Sequence, residues 1–303
     1  MTLPPALVIL GPTASGKSDV AMHIATSHGG FEIVAADSMQ VYRGMDIGTA
    51  KPTAEDQQKV PHHGIDIADP WCDFSVAQFL QHIEVARKSM MQRSSRELIV
   101  GGTGLYVTAL VDGLNMPGQW PEIREELENN EDTAALFAEL QSRDPLAASR
   151  MEPNNRRRII RALEVCRGSG TTFSSFGSGI TQFPDTTTVM VGIKWDRAAL
   201  RKRIEQRVRV MMERGLVEEV QNLLAHPHPL SKTAYQALGY KEVIEGLAAG
   251  DSVDTMAATI TLRTQQFAVR QERWYRRDPR IHWVQVQKDP ISEVTPVVQA
   301  LLA

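Results

Sequence analysis

Short apolar runs separated by longer periodic stretches set the rhythm of this chain. Residues 6–10 are apolar throughout, and Phe31–Ala36, 97–100 and 188–194 repeat the pattern. Runs of this length, apolar on both faces, are what strands of a parallel sheet need when helices cover both sides. Between the runs the apolar positions widen to helical spacing. A helix-like stretch opens at Asp19. Thr53-x-x-Asp56 and Ser75-x-x-Gln78 read as helix N-caps, the second opening a long amphipathic helix that runs to about Arg93. Strands alternating with helices predict an α/β fold with a parallel-sheet core flanked by helices.

The pattern changes at about residue 114. Helical segments follow, acidic over 122–139 and basic around Asn154-Asn155-Arg156-Arg157-Arg158, before a Gly/Ser/Thr-rich stretch over 168–179. The strand signal resumes only at Thr188. The expectation is a core of residues 1–113 and 186–303 with an inserted, mostly helical domain at 114–185, a candidate for a lid.

The first strand runs into Gly11-Pro12-Thr13-Ala14-Ser15-Gly16-Lys17-Ser18, which fits the P-loop pattern G-x-x-x-x-G-K-[ST] at every specified position. Strand, loop and helix are in the order that motif needs. Such a loop turns successive N–H groups inward, and the following helix adds the partial positive charge of its N-terminus, so together they cradle a polyphosphate. Lys17 would reach a terminal phosphate, and the Ser18 hydroxyl would serve a Mg²⁺ ion. The motif specifies a di- or triphosphate and leaves open which one.

Ligands of open α/β sheets bind beyond the carboxyl ends of the strands, so Asp37, Ser38 and Gln40, just after Phe31–Ala36, are placed to face the phosphate site. A surface turn accommodates Asp37 equally well. The strand at 97–100 ends in Gly101-Gly102-Thr103-Gly104 where a Walker-type NTPase would hold its metal-binding Asp. The glycines permit close approach to a ligand and present Thr103 at the same edge; a tight strand-to-helix turn also accounts for them. His62 and His63 are adjacent, so a strand sends them to opposite faces, and with no third ligand at metal spacing they read as structural or rim residues.

Arginines cluster three times: in the insert, at Arg197, Arg201, Arg203 and Arg207, and at Arg263, Arg270, Arg273 and Arg277. Any one stripe reads first as a solvated face, but three in a chain with a phosphate loop favour contact with a phosphate backbone. The overall charge of −3 does not oppose this, because nucleic-acid binding depends on local clusters. Cys72 and Cys166 are too far apart in sequence for a C-x-x-C pair, which predicts a reducing compartment. No basic leader precedes the first strand and no apolar stretch has membrane length, so a cytoplasmic protein without membrane association is expected. Two functions fit: a P-loop kinase with ATP as donor, or a group transferase that grips a different diphosphate as leaving group.

The block Asp37-Ser38-Met39-Gln40-Val41-Tyr42-Arg43-Gly44-Met45-Asp46-Ile47-Gly48-Thr49-Ala50-Lys51-Pro52 separates them. With the P-loop, Gly101-Gly102-Thr103, residues 157–164 and Leu238-Gly239-Tyr240, it closely resembles the bacterial tRNA dimethylallyltransferase family over nearly the whole chain. The resemblance implies transfer of a dimethylallyl group from dimethylallyl diphosphate to N6 of adenosine 37, just 3′ of the tRNA anticodon, by a monomer using Mg²⁺. It implies a donor site at Gly11, Pro12, Thr13, Ala14, Ser15, Gly16, Lys17 and Ser18, with Asp37, Thr103 and Arg207 as catalytic residues. Asp37 would accept the N6 proton and Arg207 neutralise the diphosphate. The base would be flipped against Asp37, Ser38, Met39 and Gln40. Further tRNA contacts would fall on Thr103, on Arg124, Arg157, Arg158 and Arg161 of the insert, which is thereby read as a tRNA-binding domain, and on Gln236, Gly239, Tyr240 and Lys241. The chain departs from relatives at Gln265 and Val269, positions often basic, and at Asn155-Arg156, where Asp-Pro is common.

Overall fold

The structure is a computed structural model that describes residues 7–176 and 182–302. Ala6 of the first apolar run, and residues 177–179 of the Gly/Ser-rich stretch, lie outside the described residues. The chain divides into two compact units, Met1–Asp112 with Asp185–Ala303, and Gly113–Pro184.

In the larger unit, β1 (Leu7–Leu10), α1 (Lys17–His28) and β2 (Phe31–Ala36) come first, then α2 (Ala54–Lys59), β3 (His62–His63), α3 (Val76–Gln92), β4 (Arg96–Gly101) and α4 (Gly104–Asp112). Both expected capping boxes are formed, at Thr53/Asp56 and Ser75/Gln78. Every residue of β1 and β2 is buried. That includes Glu32, whose carboxylate accepts hydrogen bonds from Arg93 (2.7 and 2.8 Å) and from His63 (2.7 Å). The Arg93 bonds hold its pKa down at about 2. His63 is thus an acid's partner, and His62 bonds the Val60 carbonyl at 2.7 Å.

The smaller unit holds α5 (Pro121–Asn129), α6 (Thr133–Arg143), α7 (Pro145–Ser149), α8 (Arg156–Ser169) and a 3₁₀ turn at Phe173–Phe176. Its own core is built from Leu127, Leu136, Leu140, Ile159, Ile160 and Leu163. Two buried carboxylates tie its segments. Asp144 caps α7 and takes both the N–H and the hydroxyl of Ser174, while Glu164 accepts the Trp120 N–H and pairs with Arg161.

The larger unit resumes with β5 (Val189–Trp195), α9 (Arg197–Glu213), α10 (Leu216–Leu224), α11 (Lys232–Tyr235), α12 (Tyr240–Ala249), α13 (Val253–Tyr275), β6 (Ile281–Val286) and α14 (Pro290–Leu302). All six strands are parallel in the order β3-β2-β4-β1-β5-β6. β6 carries no continuous apolar run because it is an edge strand, with His282 and Gln285 exposed. The order places β1 between β4 and β5, so the loop after β1 opens beside the ends of both. Among the described residues, no helix is long and apolar enough to cross a membrane.

Candidate active site

The loop at residues 11–18 is held from three sides by groups far away in sequence. Trp195 Nε1 donates to the Ser15 carbonyl at 2.9 Å, and Arg203 Nε donates to the Ala14 carbonyl at 2.8 Å. The Thr13 N–H donates to Gln271 Oε1 at 2.8 Å. In a trans peptide C=O and N–H point oppositely, so tethering the Ser15 carbonyl outward turns the Gly16 N–H the other way, toward the start of α1. Gly16 sits at φ +89°, and a Cβ there would meet Pro290 Cγ at 2.5 Å, so glycine is required on both counts.

This loop lines a cavity of about 910 Å³ in the larger unit, walled by α1, α2, α9 and the ends of β2 and β4. Lys17, Ser18, Asp37, Gln40 and Arg207 all border it. Burial, and then the Arg207 charge, lower the Lys17 pKa to about 8, although Asp37 and Asp19 pull the other way. Burial likewise lowers the Arg207 pKa, opposed by Asp37 and Asp19. Among the described residues no carboxylate lies within ion-pairing distance of either cation. Two partly desolvated cations, neither in a direct ion pair, thus face the same cavity.

Asp37 follows β2 directly. Its Oδ1 accepts the Met39 N–H at 2.9 Å, which fixes the turn and leaves the second carboxylate oxygen for other work. Thr103 Oγ1 accepts the Ser38 N–H at 3.2 Å, joining the β2 and β4 ends, and Gly101 is obligatory beside it because a Cβ would lie 2.4 Å from the Ala36 carbonyl. Gln40 borders the cavity, but its amide nitrogen is committed to the carbonyls of Thr49 and Ala50.

The rest of the 37–52 block is architecture. Lys51, its side chain 3 % exposed, donates to the Tyr42 carbonyl, Asp46 and Asp66. Glu219 of α10 accepts the N–H groups of Asp46, Ile47 and Gly48 and the Tyr240 hydroxyl. Sequence patterning did not single out Glu219, Trp195 or Gln271; each acts through a tertiary contact that has no local signature.

Two expected RNA contacts, Tyr240 and Gly239, need correction. Tyr240 is 0 % exposed, with its ring against Gly48, and Gly239 is buried with its N–H on Glu242, so neither has surface to offer RNA. Gln236 and Lys241 are accessible and bond each other at 3.2 Å. In the smaller unit Arg161 is turned onto Glu164 and the Pro117 carbonyl, both at 2.9 Å, while Arg124, itself exposed, pairs with Glu128 at 2.9 Å and lies 3.6 Å from Glu164. Arg156 caps the end of α5 through the carbonyls of Glu128 and Asn130. Arg157 and Arg158 are exposed and, among the described residues, unpaired. Arg203 serves the loop rather than a solvated stripe, and it stacks over Trp195 at 4.5 Å. Arg263, Arg270 and Arg273 lie exposed on α13; Arg277 falls beyond its end.

The structure has a parallel α/β sheet with a glycine-lysine loop after its first strand, and a cavity bordered by the carboxylate of Asp37 and the cations Lys17 and Arg207. Residues 40–278 match the IPP transferase family and residues 5–65 the isopentenyl transferase family. The tRNA dimethylallyltransferase of Geobacter metallireducens is 44 % identical over 92 % of each chain, and that of Desulforudis audaxviator is 41 % identical over 99 % of each. The solved tRNA isopentenylpyrophosphate transferase of Bacillus halodurans superposes with a TM-score of 0.70 at 35 % identity, covering 99 % of this chain and 97 % of that one. A eukaryotic dimethylallyltransferase solved acting on tRNA shares the fold, with a TM-score of 0.81 at 22 % identity over 98 % of this chain and 78 % of that one. The chain belongs to the IPP transferase family.

Proposed function

We propose that the protein transfers the dimethylallyl group of dimethylallyl diphosphate to N6 of adenosine 37 in tRNA, releasing diphosphate, as a monomer in the cytoplasm. The observation that carries the reading is the meeting of Lys17, Arg207 and Asp37 around one cavity. An allylic C–O bond breaks readily when the departing diphosphate is neutralised, and Lys17, Arg207 and the N–H groups at the start of α1 stand where that charge develops. Diphosphate binding therefore also drives the chemistry. Adenine N6 is a weak nucleophile, because its lone pair is shared with the ring. The free oxygen of Asp37 accepts its proton as the new C–N bond forms.

Ser18 Oγ, on the exposed first turn of α1, has no protein hydrogen bond among the described residues and lines the cavity beside the carboxylate of Asp19. That donor set fits Mg²⁺. When bound there, the ion would supply charge neutralisation to the diphosphate. The adenine must leave the anticodon stack to reach Asp37, and Arg157 and Arg158 offer unpaired charge for the RNA backbone.

The decisive experiment incubates the protein with dimethylallyl diphosphate, Mg²⁺ and an anticodon stem-loop carrying adenosine 37. One added five-carbon unit per RNA, detected by mass, is expected. No addition overturns the reading, and acceptor-dependent ADP formation from ATP would replace it with a kinase.

A further inference from the structure

We infer that Gln271 is the positioning residue that sets the donor loop in register with the acceptor edge. α13 delivers its carboxamide, 7 % exposed, to the ends of β1 and β4. There Oε1 accepts the Thr13 N–H at 2.8 Å and Nε2 donates to the Gly102 carbonyl at 2.8 Å. One planar group thus ties the phosphate loop to the β4 turn. The next residue, Thr103, takes the Ser38 N–H beside Asp37, so a continuous hydrogen-bonded path runs from the donor loop to the residue after the base. Residue 102 must be glycine for this link, since a Cβ there would stand 2.4 Å from Gln271 Nε2.

At neutral pH, of the straight-chain side chains that could reach both groups, only an amide of this length accepts on one side and donates on the other. A carboxylate cannot donate, a lysine cannot accept, and asparagine is one methylene short. The link matters because the carbon to be transferred sits on the diphosphate held by one loop, while the base belongs to the other. A misplacement of about 1 Å between reacting groups costs roughly a hundredfold in rate. This inference rests on the transferase reading of the same cavity.

The test uses Gln271→Ala and Gln271→Glu in the full chain. Gln271→Ala is expected to lower kcat about 10- to 100-fold, with KM for dimethylallyl diphosphate and for tRNA within about threefold and the melting temperature little changed. Gln271→Glu carries a second readout. Its neutral acid is a close twin of glutamine, accepting from Thr13 and donating to Gly102, whereas its carboxylate repels that carbonyl. The ratio of its kcat to wild type should therefore rise as pH falls from about 8 to 5.5, and the Gln271→Ala ratio should stay flat. Lys17 and Asp19 of α1, Asp37 after β2, and Arg203 and Arg207 of α9 share the cavity, but they are the same in both proteins and their effects largely cancel in the ratio. Near-normal kcat in Gln271→Ala, a pH-independent Gln271→Glu ratio, or a kcat loss that follows melting temperature across pH would each overturn the inference. Wild type without transfer activity sinks the transferase reading itself, and wild type active beside an unaffected Gln271→Ala sinks only this step.

Discussion

The proposed mechanism gives Asp37 two jobs, and they can be separated by a pair of substitutions. One oxygen accepts the Met39 N–H, and the other is proposed to take a proton. Asparagine keeps an oxygen for Met39 but cannot act as the base, so Asp37→Asn isolates the chemistry from the turn. Losing a positioned general base costs about 10²- to 10⁴-fold, or ~2.7 to 5.5 kcal/mol in the barrier. Asp37→Ala removes the turn bond as well, a further ~1 kcal/mol or about fivefold if it is expressed in positioning. Donor binding should move the other way. Asp37 opposes the lowered pKa values of Lys17 and Arg207 as the nearby negative charge, so removing it leaves the cavity more positive. Asp37→Asn should then bind dimethylallyl diphosphate as tightly as wild type or more so. Single-turnover transfer to a saturating stem-loop gives the rate, and calorimetry with the donor gives the affinity. An Asp37→Asn rate within threefold of wild type, or a rate loss matched by an equal loss of donor affinity, would refute the assignment.

Lys17 predicts a pH dependence of donor affinity. Its pKa of about 8 in the free protein must rise when diphosphate binds, so affinity is full below pH 8 and falls by up to tenfold per unit above it; a titration at pH 7, 8 and 9 checks this, and Lys17→Met should flatten it. Replacing Arg157 and Arg158 together with alanine should weaken tRNA binding and reduce the slope of log affinity against log salt by about 0.7 to 0.9 per lost contact, with donor affinity unchanged. Arg161→Ala should instead destabilise the insert in a denaturant melt, by about 1 to 3 kcal/mol, because buried Glu164 loses its nearer cation and keeps only the Trp120 N–H and Arg124 at 3.6 Å. Gly48→Ala should lower stability by ~1 to 3 kcal/mol, since its Cβ would stand 2.3 Å from Tyr240, and an unchanged melt would remove that contact from the account.

The parts legible from sequence are those whose cause is local. β1, β2 and the two capping boxes follow from apolar runs and from side chains that bond within three residues, and the glycine-lysine loop is a contiguous motif. β6 was not legible because an edge strand needs only one buried face. The arginines mark the limit most clearly. Arg157, Arg161, Arg203 and Arg207 carry the same side chain in similar helical surroundings, yet one is open to solvent, one pairs with Glu164, one props the glycine-lysine loop and one faces the cavity. Spacing assigns a helix face, but the partner waiting there decides the role. Tyr240 shows the same thing in reverse. Its part of the sequence drew attention as an RNA contact, and the fold spends the ring on Gly48 and the hydroxyl on Glu219.

The carboxylate of Glu219 gathers three consecutive backbone amides of the 46–48 turn, and Tyr240 leans on the same turn from the other side. The sixteen-residue stretch that looks self-contained in the sequence is therefore only half of a part. Grafted alone onto a related scaffold it would arrive without its keystone, and its three amides would compete for water. Anyone exchanging acceptor specificity between relatives should move residues 37–52 and residues 216–249 as one cassette.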